Sequence, residues 1–203
     1  MTSQRHTDVT AELSSVDDDL VLSAARAAVL DVGLCRTTLA EVARRAGVSR
    51  MTVYRQYGDL GALVNALLTA ELLGLIEAAR EQVSGRPTAR ERLVEAGVLV
   101  VQRLAVHPLW CRVLDLDPEL LLPLVVDRFG ATQRAAVDLV AEQVAEGQQD
   151  GSVRADVDPA LAATCLLLTA QSFVFSARIL AAEAKAEASG GELRLLLDRY
   201  LVP

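Results

Sequence analysis

The segment Ala40–Tyr57, AEVARRAGVSRMTVYRQY, constrains the fold more than any other part of the chain, because a glycine joins two short helical patterns there. Ala43 is a small residue at the point where a second helix would cross the first, and Gly47, four positions later, suits a tight turn. Val53, six positions after the glycine, can anchor the second helix to a core. A bulkier residue at position 43 would push the helices apart, and a β-branched residue at position 47 would be strained. The spacing predicts a helix-turn-helix.

Helical patterns with short breaks account for the rest of the chain. Apolar residues recur at three- and four-residue spacing, and no alternating β-branched run is long enough for a strand. We therefore predict an all-α fold of about nine helices. Predicted helix starts are Asp17–Asp19, Thr38 with Glu41, Ser49, Asp59, Thr88 with Glu91, and the acid–proline pairs 117–118 and 158–159. Predicted breaks are Gly33, Ser84–Pro87, His107-Pro108 and Gly190-Gly191, and one long helix is expected over about 123–146.

The outward face of the predicted second helix carries side chains suited to DNA. With Val53 inward, arginines on the other face can bond guanine in bidentate fashion, and the methyl groups of Met51 and Thr52 can touch the thymine methyl. Tyrosine and glutamine side chains are better suited to phosphate oxygens, and a threonine at a helix amino end can bind another phosphate. The predicted DNA-binding residues are Thr38, Arg50, Met51, Thr52, Tyr54, Arg55 and Gln56.

Positive charge is concentrated in the same segment. Five arginines and one glutamate lie between Leu34 and Tyr57, whereas the whole chain has a formal net charge of −7. One basic island in an acidic body indicates a local contact with a polyanion rather than indiscriminate coating. The turn alone would also fit an ordinary helical hairpin with a solvated arginine face, but the three core positions, the caps and the island favour the DNA-reading interpretation.

Residues from about Leu20 to Leu68 resemble the tetracycline-repressor (TetR) family of bacterial transcription regulators. The resemblance rests on a helix ending in GLCRTT, then LAEVARRAGVS, then RMTVYRQYGDLGALV. Two positions depart from the family pattern: Leu60 replaces the usual lysine after the cap of the fourth helix, and Met51 replaces a common glycine. The matching positions are Thr38, Val42-Ala43, Ala46-Gly47-Val48-Ser49, Tyr54, Tyr57, Asp59 and Leu63.

The resemblance implies a homodimer that binds a palindromic DNA operator and is released by a small-molecule effector, with repression the expected output. We expect a disordered polar tail (1–17), a three-helix DNA-binding domain (18–65) and a larger helical ligand-binding and dimerisation domain (66–203). The resemblance also implies an effector cavity among the middle helices, and the apolar composition favours an apolar or amphipathic molecule. Candidate lining residues are His107, Trp110, Phe129, Gln171 and Phe175. A helix-end role for His107 and a core or dimer-surface role for Phe175 stay open.

The helix predicted over Asp158–Glu183 supports dimerisation independently, because it is apolar around most of its circumference. A twin helix would cover the face that its own core leaves open, so helices about 159–184 and 191–201 are expected to form a four-helix interface. The uncharged stretch Ala160–Ala177 is also 18 residues long, enough to consider a membrane helix. Its threonines, serines and glutamine, and flanks without basic or aromatic anchors, favour burial in protein and no membrane partner.

Catalysis and metal binding have little support in the sequence. The only histidines are His6 and His107, and HExxH, a glycine-rich phosphate loop and a cysteine–histidine pair are missing. The three cysteines are far apart without a CxxC pair, which predicts small buried residues. We expect no enzyme, no metal and no cofactor. The polar amino terminus lacks the apolar core of a signal peptide, so a cytoplasmic location is expected. A helical small-molecule-binding dimer with a vestigial DNA-binding head is the alternative, and Leu60 gives it some support.

Overall fold

The computed structural model describes residues 3–116 and 130–203, with side chains from 18 to 115 and from 130 to 203. Nine α-helices and no strand are found in these ranges, so the all-α prediction is confirmed. The helices are α1 (Ser3–Val32), α2 (Leu39–Ala46), α3 (Arg50–Tyr57), α4 (Leu60–Val83), α5 (Ala89–Ala105), α6 (Pro108–Leu116), α7 (Ala131–Gln149), α8 (Pro159–Ala182) and α9 (Ala186–Leu201).

The described residues divide into two compact units, one containing residues 3–68 and 112–116 and the other residues 69–111 and 130–203. In the first unit, α1, α2, α3 and the start of α4 enclose a core of small and branched apolar side chains. Small side chains let the short helices approach closely, so the helix-turn-helix packs tightly against the core of this unit. The buried core residues are Val21, Ala25, Ala28, Val29, Val42, Ala43, Val53, Leu63 and Leu67.

The second unit is built around α5, which packs against α7, α8 and α9. Gly97 allows the close approach of α9, since a Cβ at this glycine would lie 3.3 Å from Leu197 Cδ1. The loop after α7 is fixed by side chain to backbone bonds: Asp150 Oδ2 accepts from the N–H of Ala89 at 2.8 Å at the start of α5. Buried residues of this unit include Val94, Val98, Val101, Ala136, Val144, Ala162, Ala163, Leu166, Val174, Leu193 and Leu201.

Several expected boundaries differ from the structure. The first helix begins at Ser3, so residues 3–17 are helical where a disordered tail was expected and the helix start at Asp17–Asp19 was wrong. No glycine or proline lies in that stretch to stop the helix. Gly130 has extended backbone and α7 begins at Ala131, so no single helix runs over 123–146; the predicted start at 117–118 lies outside the described residues.

The predicted break at Gly190-Gly191 was also wrong, because both glycines lie inside α9. The chain turns earlier, at Ala184, which has a φ of 55°. A Cβ on Gly190 would lie 2.9 Å from Gln102 Nε2, so this glycine permits close packing on α5 instead of ending a helix. The cysteines are not buried as expected: Cys35 is exposed in the α1–α2 connection, and Cys111 and Cys165 are half-buried.

Candidate functional site

The turn between α2 and α3 is closed by its glycine. Gly47 has φ 71° and ψ 20°, the left-handed conformation that glycine adopts without steric cost. The N–H of Val48 donates to the carbonyl oxygen of Ala43 at 3.0 Å, and the N–H of Gly47 donates to that of Arg44 at 3.4 Å. These two bonds form a Schellman motif, which satisfies the last carbonyls of α2 and redirects the chain into α3.

The two caps predicted around this turn are present. Thr38 Oγ1 accepts from the N–H of Glu41 at 3.2 Å, and Ser49 Oγ accepts from the N–H of Thr52 at 3.0 Å. The hydroxyl groups of Ser49 and Thr52 are also 2.8 Å apart. The Thr52 hydroxyl therefore takes part in capping α3.

The fully buried side chain of Val53 sets which face of α3 points inward and which faces solvent. The opposite face is solvent-exposed: Met51 is 70% exposed and Tyr54 59% exposed, and Arg50, Arg55 and Gln56 are exposed beside them. Thr52 is half-buried, and Thr38 is exposed at the start of α2. The structure thus brings six of the seven predicted DNA-binding residues together on one eight-residue helix.

Two arginines of the basic island, Arg44 and Arg45, are paired with carboxylates in an ion-pair network on α2. Glu41 Oε1 accepts from Arg44 Nη2 and from Arg45 Nε, each at 2.7 Å, and Arg45 Nη1 donates to Asp31 Oδ2 at 2.6 Å. The bonds from Arg44 and then Arg45 lower the pKa of Glu41 to about 2. Because its carboxylate faces these arginines, the expected capping box is only half formed. Three arginines of the island, Arg36, Arg50 and Arg55, have no ion-pair partner within the described part of the chain.

Tyr57 holds the end of α3 against α1. Its hydroxyl donates to Asp18 Oδ1 at 3.2 Å. Burial, and then the negative charge of Asp18, raise the pKa of Tyr57 above its ordinary value. Asp59 caps α4 through its Oδ1, which accepts from the N–H of Ala62 at 2.7 Å, while Leu60 at the first turn offers no donor for a phosphate.

Comparisons with known proteins agree with this geometry. A family model described as bacterial regulatory proteins, tetR family, matches residues 21–67, which contain the whole helix-turn-helix. An uncharacterised HTH-type transcriptional regulator of Mycobacterium bovis is 37% identical over 181 residues, which cover 89% of this chain and 92% of that protein. The chain belongs to the TetR family of bacterial transcriptional regulators.

Solved TetR-family structures share the fold. QsdR, a transcriptional repressor of R. erythropolis, is similar with a TM-score of 0.69 and 16% identity, over 90% of this chain and 95% of QsdR. FadR of Bacillus subtilis in complex with stearoyl-CoA is similar with a TM-score of 0.60 and 17% identity, over 90% of this chain and 98% of FadR. The present TetR-family chain is thus an all-α transcription regulator with a DNA-binding helix-turn-helix.

A cavity of about 460 Å³ lies in the second unit of this TetR-family regulator. Its volume is within the range of roughly 300–1,000 Å³ usual for small-molecule sites. Five helices, α4, α5, α7, α8 and α9, supply its walls, and apolar side chains such as Leu72, Ile76, Val100, Leu139 and Leu166 dominate them. The charged lining residues lie near the end of α4, the start of α5 and the end of α7. They are Glu77, Arg80, Glu81, Arg92 and Glu146.

The four predicted effector residues that the structure describes, His107, Trp110, Gln171 and Phe175, are not among the lining residues of this cavity. His107 Nε2 lies 3.1 Å from Glu71 Oε2, and the buried His107 Nδ1 and Trp110 Nε1 have no hydrogen-bond partner among the described residues. Gln171 Oε1 accepts from Gln133 Nε2 at 2.9 Å, and Phe175 is half-buried on α8. Phe129 lies outside the described residues. Sequence reasoning missed the lining residues because their helical spacing is the same as that of core residues.

Among the described residues, the helices α4 and α8 are each long and apolar enough to cross a membrane by length and composition. Only 22% of the apolar window of α8 is buried within the chain. Leu161, Leu168 and Ile179 are among its exposed residues.

Proposed function

We propose that this TetR-family chain is an effector-responsive repressor that binds a palindromic operator as a homodimer through α3. One observation carries the proposal: on a single short helix Val53 is fully buried while Arg50 and Arg55 face solvent without an ion-pair partner among the described residues. Unpaired guanidinium groups at a surface are available to base edges and phosphates. Burial of Val53 keeps them in a fixed direction, as groove reading requires.

The side chains of α3 divide into two roles. Arg50, Met51 and Arg55 are proposed to read base edges in the major groove, by bidentate bonds to guanine or apolar contact with thymine. Tyr54, Gln56 and Thr38 are proposed to bind phosphates and so set the register. Thr52 contributes its methyl group, because its hydroxyl is bonded at the cap.

The exposed apolar side chains of α8 and α9 support a homodimer. Leu161, Leu168 and Ile179 on α8, and Leu195 and Leu196 on α9, are each about half exposed or more in a single copy. A pair of such helices from each of two copies would remove these groups from water in a four-helix interface, at roughly 25 cal/mol per Å² of apolar area buried. A second copy of the chain would therefore explain the low burial of α8 without requiring a membrane. Two copies also supply two reading helices for the half-sites of a palindrome.

An effector role is supported by the cavity. FadR of Bacillus subtilis, which shares the fold, was solved with stearoyl-CoA, so this fold accommodates a molecule with a long apolar chain. The apolar walls of the present cavity suit an apolar or amphipathic body. A ligand that binds one arrangement of the dimer better than the other would shift the population away from the DNA-binding state. Repression is favoured because occupancy of an operator is enough to block a polymerase.

The test is selection of bound duplexes from a genomic DNA library, followed by mobility-shift assays on the recovered sequence and a scrambled duplex. The expected result is a palindromic site bound by the dimer, with at least tenfold preference over the scrambled duplex. Failure to recover or shift any sequence, even at low salt, would instead support a ligand-binding dimer whose DNA-binding head is vestigial, consistent with Leu60 at the position of the family's lysine.

A further inference from the structure

The cavity of the second unit contains an unequal number of acidic and basic side chains. Glu77, Glu81 and Glu146 belong to its lining, with Arg80 and Arg92. If all five are ionised, the described part of the lining carries one net negative charge. The sign of this charge bears on which headgroup an effector can have.

Both guanidinium groups are already bound by the protein. Arg92 is 23% exposed at its side chain, its Nη2 donates to Glu146 Oε1 at 2.5 Å, and its Nη1 donates to the carbonyl oxygen of Arg86 at 3.1 Å. Arg80 Nη1 lies 3.5 Å from Glu77 Oε2. An anionic headgroup at either arginine would have to share the guanidinium with the carboxylate already paired there and would be repelled by that carboxylate, whereas a cationic headgroup would not.

The acidic side of the lining has an unused acceptor. The Glu81 carboxylate has no hydrogen-bond or ion-pair partner within the described part of the chain, and neither has the Gln143 side-chain amide on α7. Glu81 lies one position after Arg80 at the end of α4. A cation beside Glu81 would therefore gain a charge-assisted hydrogen bond without breaking an existing pair.

The remaining walls define the body of the ligand. They consist mainly of leucine, valine, alanine and isoleucine side chains, and no phenylalanine, tyrosine or tryptophan is among the lining residues that the structure describes. Quaternary ammonium groups are usually held by aromatic faces. With none in the lining, a cation must be held by hydrogen bonds to carboxylate and amide oxygens, which requires a nitrogen that carries N–H groups.

We infer that the effector is a protonated aliphatic amine, with its alkyl body in the cavity and its ammonium group beside Glu81 and Gln143. The inference rests on the proposed effector response and specifies the chemistry of that same site. It explains why apolar walls and excess carboxylate occur in one cavity. The amine binds as a cation, and no covalent step is involved.

The experiment compares four ten-carbon probes by titration calorimetry with the full-length protein, below their micellar concentrations. The probes are decylamine at neutral pH, decyltrimethylammonium, decanol and decanoate. We expect decylammonium to bind about tenfold more tightly than decanol or decanoate, because the Glu81 carboxylate can accept a charge-assisted bond and the described lining has net negative charge. Glu81→Gln should reduce that preference about threefold, since one part-exposed pair is weak. Glu142→Gln removes the same charge from an exposed site on α7 outside the lining and should change nothing.

A second pair of variants tests the location. Val140 and Val137 are both half-buried on α7, but only Val140 lines the cavity. Val140→Trp should weaken binding of decylammonium and decanol alike, and Val137→Trp should leave both unchanged, with melting temperature and helicity showing that each variant is folded. Tightest binding of decanoate, equal binding of all four probes, or an unchanged preference in Glu81→Gln would overturn the inference.

Operator binding is measured in parallel on the same samples by mobility shift. If operator binding holds and decylammonium does not bind, the inference fails while the DNA-binding proposal stands. If decylammonium binds as expected and operator binding is absent, the assigned ligand chemistry holds and the proposed repressor function fails. If both bind but the amine does not release DNA, the proposed effector response is wrong and the assigned ligand chemistry remains supported.

Discussion

The hydroxyl of Tyr57 donates to the Asp18 carboxylate across 3.2 Å and so ties the end of α3 to α1. Tyr57→Phe removes this bond and leaves the ring in its half-buried site. We expect a loss of about 1 kcal/mol in the free energy of unfolding, because the acceptor is charged but partly solvated. Urea unfolding followed by circular dichroism measures it, and Tyr54→Phe, on the exposed face of the same helix, should cost nothing. Equal losses in both variants would contradict the assigned role.

Removing the unpaired arginines of α3 should change operator recognition. Arg50→Ala or Arg55→Ala should weaken binding of the selected operator by about 1–3 kcal/mol and reduce discrimination against base changes at one position in each half-site. Arg86→Ala, an exposed arginine in the α4–α5 connection, changes the net charge equally and should leave binding unchanged. Mobility shifts over a panel of single-base variants measure both effects. A loss that is uniform over the panel would mean that these arginines bind phosphates instead of bases.

The ion pairs of Glu41 should make folding stability sensitive to acid. Because the pKa of Glu41 is lowered from 4.5 to about 2 in the folded chain, its contribution is complete above pH 4.5 and is lost as the pH falls towards 2. Glu41→Gln should therefore show a shallower decline in the free energy of unfolding across that interval. Urea titrations at several pH values test this, with the exposed Glu142→Gln as the control. Parallel pH profiles for Glu41→Gln and the unaltered protein would refute the assignment.

Two glycine-to-alanine substitutions should change the free energy of unfolding in opposite directions. A Cβ on Gly147 would lie 2.3 Å from Cγ2 of the buried Val153, so Gly147→Ala should destabilise the fold by about 1–3 kcal/mol through overpacking. Gly74 lies on the exposed side of α4 with no atom within 4 Å of such a Cβ. Gly74→Ala should stabilise the chain by about 0.5–1 kcal/mol, the helix preference of alanine over glycine. Thermal unfolding compares them, and destabilisation by Gly74→Ala would show that α4 needs that glycine for contact with another molecule.

The proposed dimer should depend on the exposed apolar residues of α8. Ile179 is 63% exposed in one copy, so Ile179→Glu should leave each copy folded and place two carboxylates in the interface. Sedimentation velocity should then show a monomer at concentrations where the unaltered protein is a dimer, with loss of binding to the palindrome. Val106→Glu, at an exposed valine after α5, should remain dimeric. A dimer that persists in Ile179→Glu would place the interface elsewhere.

Local features of the fold were predictable from the sequence, whereas long-range features were not. Five predicted caps are present, because in each the side-chain oxygen accepts a hydrogen bond from an N–H only three residues later. They are Thr38, Ser49, Asp59, Thr88 and Asp158. The inward position of Val53 also followed from spacing within one motif.

The features that sequence-based prediction missed depend on contacts between residues far apart in the chain or on different helices. Gly190 was expected to end a helix, but it lies where α9 passes close to Gln102 of α5, and no local pattern encodes that approach. Likewise, Arg45 was counted in the basic island, yet part of its charge is neutralised by Asp31, fourteen residues earlier. Cavity walls and core share one helical periodicity, so only the packed structure separates them.

The position of Trp110 has a practical consequence. It is the single tryptophan of the chain, it belongs to the second unit, and it is 9% exposed. Tryptophan fluorescence, excited selectively at wavelengths that tyrosine does not absorb, therefore arises from one buried indole, whose emission is shifted to the blue relative to an indole in water. Changes in that emission report rearrangements of the second unit without an added dye, and α3 contributes no indole signal of its own.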